Sequence, residues 1–432
     1  MRLRNISISV VAFSLILGNV GSVFAAAPVS GRTCSKLGAK QIYKGKTFTC
    51  VTSGKKLVWN KGVVIVVAPK PSVTPSSAPS PVVSVTPSPT PSESAPPTPI
   101  TTPTPSPTPL STPSPTPKIT PTPKSFNDLF ENRAGISNAA WKISSEVIQN
   151  SKSKAGSLSI FTGPNTKPYF DDYPTAVSLV SRLFPNHKEP DKTLVIRFKF
   201  VDMNWADVTF RSQIGDAQYE QMNSTENGRL VPSQCNSSKQ NCEGSMQQTS
   251  QTGISVILQG VFNTDDPNDA TGKMRIYSGM LEAHEYFHAL QRIPIMGKAN
   301  IWPHAWFREG GAEWVQNMAI NYQDYNSYRE YIRLDCAYDC PKLTEADIAE
   351  FLRTAQENYL PAKFPRWLNY SLGSYVVESL VAIKGPGILI DMYAEMSKQI
   401  SFDQAFKNIF GVEWNDAIPI LAKSIYANLH EE

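Results

Sequence analysis

Residues 67–124 set the first limit on what this chain can fold into. Proline alternates there with serine and threonine, as in Thr102-Pro103-Thr104-Pro105-Ser106-Pro107, and twenty of the chain's 35 prolines fall between Pro69 and Lys124. Each proline removes a backbone donor and fixes φ, while the residues between offer little apolar area to bury. Neither a hydrogen-bonded ladder nor a packed core is open to such a segment. It is expected to be a disordered, extended polyproline II linker, ~180 Å long when fully stretched at about 3.1 Å per residue and open to O-glycosylation. Residues 125–432, beyond it, return to ordinary composition and are long enough to bury a large core.

Charge divides at the same place. Residues 1–124 hold 13 Lys and Arg against one acid, Glu93, and the whole chain sums to +4, so residues 125–432 carry −8. At the front, Arg2 and Arg4 precede an apolar run from Ile8 to Leu17, and Val23-Phe24-Ala25 offers a small-x-small cleavage pattern. Residues 1–25 are therefore expected to be a secretory signal peptide; the alternative is a retained anchor helix, which the short, serine-interrupted run disfavours. No later apolar run approaches ~18 residues, so no transmembrane helix is expected in the mature chain. Export gives a secreted, extracellular location and an oxidising one. The six cysteines lie in three sequence-local pairs, Cys34 and Cys50, Cys235 and Cys242, Cys336 and Cys340. An even count in an exported chain is expected to form disulfides, paired here by proximity among the 15 connectivities six cysteines allow, and the spacings do not form a zinc ribbon.

Residues 26–66 read as a small basic β module. Short alternating runs such as Lys46–Val51 and Lys56–Trp59 lie between glycines, with Cys34 and Cys50 available to staple them. Residues 30–66 carry eight Lys and Arg and no acid. This module either binds an anionic cell-envelope polymer, which would associate the protein with the cell wall, or its lysines simply keep a tiny domain soluble. It resembles short lysine-rich modules at the front of secreted actinobacterial proteins, a likeness that implies no activity. No nucleic-acid partner is expected.

In residues 125–432 the pattern predicts a helix around Pro174–Leu183, a strand at Thr193–Val201 where Leu194, Ile196, Phe198 and Phe200 alternate, and a strand at Ile254–Phe262. A helix is predicted over 279–292, and mostly helix from about Ala312. Strands first and helices later point to an α+β arrangement in two lobes.

The predicted helix over 279–292 contains His284-Glu285-Tyr286-Phe287-His288. Positions four apart put both imidazoles on one helical face, the spacing that two ligands of one Zn²⁺ need. Glu285 is placed beside the first ligand as a general base. A catalytic zinc takes a third protein ligand, and Glu309, in Trp306-Phe307-Arg308-Glu309-Gly310-Gly311-Ala312-Glu313, is the candidate. The two glycines inside a helical stretch suggest that this second helix packs tightly on the metal helix. Glu313, one turn on, is placed either to accept from the far nitrogen of a ligand imidazole or to be a solvated helix charge. His304 is a weaker catalytic candidate in the preceding loop.

These segments resemble the gluzincin branch of zinc metallopeptidases, the His-Glu-x-x-His…Glu superfamily. The resemblance runs from about residue 250 to 425 and is strongest over 280–315. It implies a zincin-like domain with a mixed-sheet lobe and a helical lobe, one Zn²⁺, and hydrolysis of a peptide or protein substrate. Tyr370-Ser371-Leu372-Gly373 is similar to the segment that opens a helix in those enzymes, so Tyr370 inherits their role of stabilising the oxyanion. The aminopeptidases of the group carry Gly-x-Met-Glu-Asn upstream of the metal helix, whereas Ser255–Phe262 here has no acid. An edge strand that pairs with extended peptide is expected instead, which favours an endopeptidase. The rival expectations are a non-catalytic surface-binding protein on the same fold and a zinc hydrolase of a cell-wall amide.

Overall fold

The computed structural model describes residues 33, 40–43, 46–54, 56–61, 63–64, 121–223, 229–262, 270–298, 302–355 and 361–430. The expected signal peptide at 1–25, Cys34 and linker residues 67–120 lie outside the described residues. Two compact units divide the chain, residues 1–109 and 110–432.

The first unit contains strands β1 (Lys40–Tyr43), β2 (Lys46–Ser53), β3 (Lys56–Trp59) and β4 (Val63–Val64). β2 pairs antiparallel with the other three. Gly54, at φ 62°, supplies the left-handed residue for the turn between β2 and β3. Cys50 of β2 is buried and disulfide-bonded.

The second unit is α+β. Its strands are β5 (Ser157–Thr162), β6 (Lys192–Phe198), β7 (Cys235–Asn236), β8 (Asn241–Cys242), β9 (Ser245–Thr249) and β10 (Ile254–Gly260). Helices α1 (Ile136–Asn150), α2 (Tyr173–Leu183), α3 (Met203–Ile214), α4 (Asp216–Met222) and α5 (Leu230–Ser233) alternate with them. After β10 come α6 (Ala270–Ser278), α7 (Met280–Arg292), α8 (Ala305–Ile320), α9 (Tyr325–Cys336) and α10 (Glu345–Thr354). The last four are α11 (Ser371–Lys384), α12 (Ile388–Met396), α13 (Phe402–Phe410) and α14 (Trp414–His430). No single helix among the described residues is long and apolar enough to cross a membrane.

The main sheet runs β5-β6-β10-β9, with the first three strands parallel and β9 antiparallel to β10. Parallel neighbours need crossover connections, so α2 to α5 lie between the strands, while α6–α14 follow the last of them. Strand periodicity sorts the sheet's two faces. Leu194, Ile196, Phe198, Val256 and Leu258 enter one apolar cluster with Phe210 of α3, while Val195 and Ile257 enter the other with Phe287 of α7. On that second face Gln259 donates to Glu282 of α7 at 2.8 Å. A buried polar pair thus fixes how the metal-candidate helix lies on the sheet.

Two strand expectations change. The strand expected through Val201 stops at Phe198, because Phe200–Asp202 turns into a 3-10 segment. The Asp202 carboxylate holds that turn by accepting from Asn165 and Thr166. The strand at Ile254–Gly260 is not an edge: it lies between β6 and β9. The edge is β9, whose Ser-Met-Gln-Gln-Thr lacks the apolar alternation by which strands are read. Disulfides Cys235–Cys242 and Cys336–Cys340 are both formed. The first ties β7 to β8, and the second closes the turn that follows α9.

The two glycines of α8 face different helices: α8 packs on α7 as expected, with Gly311 toward it, while Gly310 faces α11. A Cβ on Gly310 would lie 2.3 Å from the carbonyl carbon of Gly373 in α11, and one on Gly373 would lie 2.6 Å from the Trp306 carbonyl oxygen. The tight backbone crossing is therefore between α8 and α11. Gly311, which does face α7, would place its Cβ 3.4 Å from the Gln291 side chain, at nearly ordinary contact. Gly310→Ala is expected to destabilise the protein by at least about 1–3 kcal/mol, since backbone cannot yield as a side chain can. Gly311→Ala is expected to stay within about 1 kcal/mol of wild type, its gain in helix propensity offsetting a small adjustment of Gln291. Thermal unfolding of the two variants side by side tests the pair.

Candidate functional site

Gly279, at φ 91°, breaks α6 from α7, and a Cβ there would strike the Phe170 ring at 2.7 Å. From this start α7 carries His284 and His288 to one face, with their Nε2 atoms 3.2 Å apart. The second turn of α8 brings Glu309 to the same point. Its Oε2 lies 3.3 Å from His288 Nε2 and 3.9 Å from His284 Nε2. Nitrogen and oxygen ligands at about 2.0–2.1 Å from a tetrahedral zinc are themselves about 3.4 Å apart. The triangle of 3.2, 3.3 and 3.9 Å fits that requirement, and the two-imidazole, one-carboxylate donor set suits the same metal. These three form the group among the described residues that can hold a metal ion.

Neighbouring hydrogen bonds orient the ligand atoms. Gln291 Nε2 donates to the Arg308 carbonyl at 3.0 Å, which turns its Oε1 toward His288 Nδ1, 2.8 Å away. His288 must then donate from Nδ1, leaving the Nε2 lone pair facing Glu309 and His284. Around His284 the nearest carboxylate is Glu313, whose Oε2 stands 3.7 Å from Nδ1, a charge neighbour beyond hydrogen-bond length. Glu313 is only 1% exposed, so it is no solvated helix charge.

Arg275 of α6 compensates that buried carboxylate. It donates to Glu313 Oε1 at 2.6 Å and lies 3.4 Å from Asp335 Oδ1, while Tyr331 and Gln316 also donate to Glu313 Oε1. The Arg275 guanidinium sits 4.7 Å from the centroid of the Trp367 ring. Trp367 stacks on Tyr370 at 4.6 Å, and Tyr370 lies parallel to His284 at 6.0 Å. The contacts close a ring: Arg275, Glu313, His284, Tyr370, Trp367 and back to Arg275.

The three ligand candidates, Glu285 and Tyr370 all line one cleft of about 400 Å³. Burial pushes the Glu285 carboxyl up to about 7, although the Ser245 hydroxyl of β9 hydrogen-bonds it. Burial would also raise Glu309, but His288, His284 and Arg308 hold it well below the carboxylate range. His284 is lowered by burial and by His288, whereas His288 is raised because Glu309 outweighs its burial. Burial raises the Tyr370 phenol, with Glu309 adding to the shift, so its hydroxyl keeps its proton and can donate. β9 forms one wall of the cleft.

His304 stands apart. Its Nδ1 is 2.8 Å from the Ala355 carbonyl, and its ring packs on Phe402 at 4.5 Å, at the start of α8. It anchors the loop before Glu309 and lines no part of the cleft. Gln291, Arg275, Trp367 and Ser245 were not singled out from the sequence. Gln291 follows His288 by three residues, a helical neighbour spacing that would have flagged it; the other three carry no local signal. Compared with protein-family models, curated proteins and solved structures, the chain matches none.

Arg275→Met leaves Glu313 and Asp335 buried without their cation and is expected to cost about 3–5 kcal/mol, read from urea unfolding. Adding Glu313→Gln should recover part of that loss, because one of the two uncompensated carboxylates is then gone.

Proposed function

We propose that this protein is a secreted zinc metallopeptidase of the gluzincin type, and an endopeptidase rather than an aminopeptidase. The observation that carries the reading is the triangle of His284 Nε2, His288 Nε2 and Glu309 Oε2, opening on a cleft that Glu285 and Tyr370 share. The His-Glu-x-x-His…Glu pattern and the mixed sheet support the zincin-like assignment. The signal-like N-terminus and the local disulfides support export.

A zinc ion held by His284, His288 and Glu309 would supply a Lewis acid for the scissile carbonyl and for the water that attacks it. Glu285 takes the proton from that water and returns it to the leaving amine nitrogen. Burial of Glu285 strengthens its hold on a proton, which suits a group that must accept one from the water. The Tyr370 hydroxyl donates to the carbonyl oxygen as that atom gains negative charge. Gln291 holds the His288 imidazole with its Nε2 lone pair forward, and the Glu313 carboxylate lies on the Nδ1 side of His284. The outer edge of β9 offers backbone donors and acceptors to an extended peptide.

Purified protein should hold about one zinc per chain by elemental analysis and should cleave unfolded casein. His284→Ala should lose the metal, and Glu313→Gln should weaken its binding by roughly 10–100-fold. Glu285→Gln should keep the metal and lose about 10²–10⁴-fold in kcat. Tyr370→Phe should lose about 10²–10³-fold in kcat with KM little changed. Bound zinc without cleavage of any peptide by wild type would sink the peptidase reading, and equal cleavage by wild type and Glu285→Gln would sink the role of Glu285.

A further inference from the structure

Apart from the histidine and glutamate floor, every charged side chain that lines the cleft among the described residues is an arginine: Arg292, Arg308 and Arg366. They come from three separate elements, the last residue of α7, the second turn of α8 and the 3-10 turn before Tyr370. This concentration of positive charge occurs in a stretch, residues 125–432, whose net charge is −8. Acidic groups therefore sit elsewhere on the unit while cations gather at the mouth of the site.

The arginines are arranged as well as counted. Trp302 is flanked by two of them, with the Arg292 guanidinium 4.5 Å and the Arg308 guanidinium 5.5 Å from its ring. Stacking of this kind restricts the planes of both guanidinium groups. Arg308 directs one of its donors to Glu309 Oε1 at 3.0 Å. Arg366 is exposed, and its side chain makes no hydrogen bond or ion pair with any described residue. The facing wall, β9, is uncharged.

We propose, building on the peptidase reading, that the cleft selects peptides bearing a carboxylate close to the scissile bond, with Arg366 as the group that receives it and the neighbouring arginines adding to the positive field. A planar guanidinium pairs with a carboxylate through two parallel hydrogen bonds, and basic side chains are repelled from the same wall. The carboxylate has two sources: an Asp or Glu side chain, or the free C-terminus of the substrate.

Three labelled peptides of one neutral sequence separate these cases. The first carries a single internal Glu and an amidated C-terminus, the second has Gln in its place, and the third has that Gln and a free C-terminal carboxylate. Binding to the full-length, metal-loaded Glu285→Gln protein is measured by fluorescence anisotropy, and kcat/KM is measured with wild type. Either the first or the third peptide is expected to bind about tenfold tighter than the second, and the difference should shrink as salt is raised. The first being tightest assigns the side chain, and the third assigns the chain terminus. Arg366→Gln, a change at an exposed position, should lower the preference ratio by about threefold. Equal binding of all three peptides, or a ratio that Arg366→Gln leaves untouched, overturns the proposal. A preserved binding ratio without any cleavage counts against the peptidase reading alone. Cleavage at equal rates across the three peptides counts against the carboxylate preference alone.

Discussion

The backbones of α8 and α11 touch at Gly310 and Gly373, and no side chain fits between them. This contact decides the geometry of the site more than any single polar interaction. Glu309 directly precedes Gly310, and Tyr370 lies one turn before Gly373, so the crossing that brings the glycines together also brings a carboxylate and a phenol to one cleft. Two glycines in helices cost roughly 1 kcal/mol each in propensity, and the close approach of two site-bearing helices offsets that cost.

A second constraint follows from burial. His284, Glu285, Glu309 and Glu313 are each largely withdrawn from water, and burying ionisable groups is costly unless each finds a partner. The structure meets that demand with connected contacts. Arg275 offsets Glu313, Arg308 and the imidazoles offset Glu309, and Gln291 fixes the tautomer of His288. The ring from Arg275 through Glu313, His284, Tyr370 and Trp367 ties α6, α7, α8 and the start of α11 into one unit. Displacing one member therefore changes the surroundings of the others.

Charge is organised on two scales. Along the chain, a basic front precedes an acidic body. Within that body, arginines are drawn to the cleft that holds the two imidazoles and Glu285. The field at such a concave, partly water-excluded surface is stronger than the net charge of the unit suggests. An average over 432 residues conceals both partitions.

Local chemistry carried the sequence reading a long way. Histidines four apart on a helix share a face whatever surrounds them, so His284, His288 and the place of Glu285 were legible before any packing was known. The disulfides Cys235–Cys242 and Cys336–Cys340 were legible for the same reason, since cysteines a few residues apart close short loops. The alternation of Leu194, Ile196 and Phe198 marked a strand because side-chain direction in a strand has period two. Strand order is not legible: β9 has no apolar pattern, and nothing in the more apolar Ile254–Gly260 tells that it has a neighbour on each side. The partner of Gly310 and the roles of Arg275, Trp367 and Ser245 arise between segments 30–100 residues apart in sequence. By itself the sequence determined which polar side chains share a helix face and which segment is too rich in proline and poor in apolar side chains to read as a core. Only the tertiary structure decided which of those residues meet, because the contacts that bring them together depend on helix crossings and strand order, which leave no periodic trace in the chain.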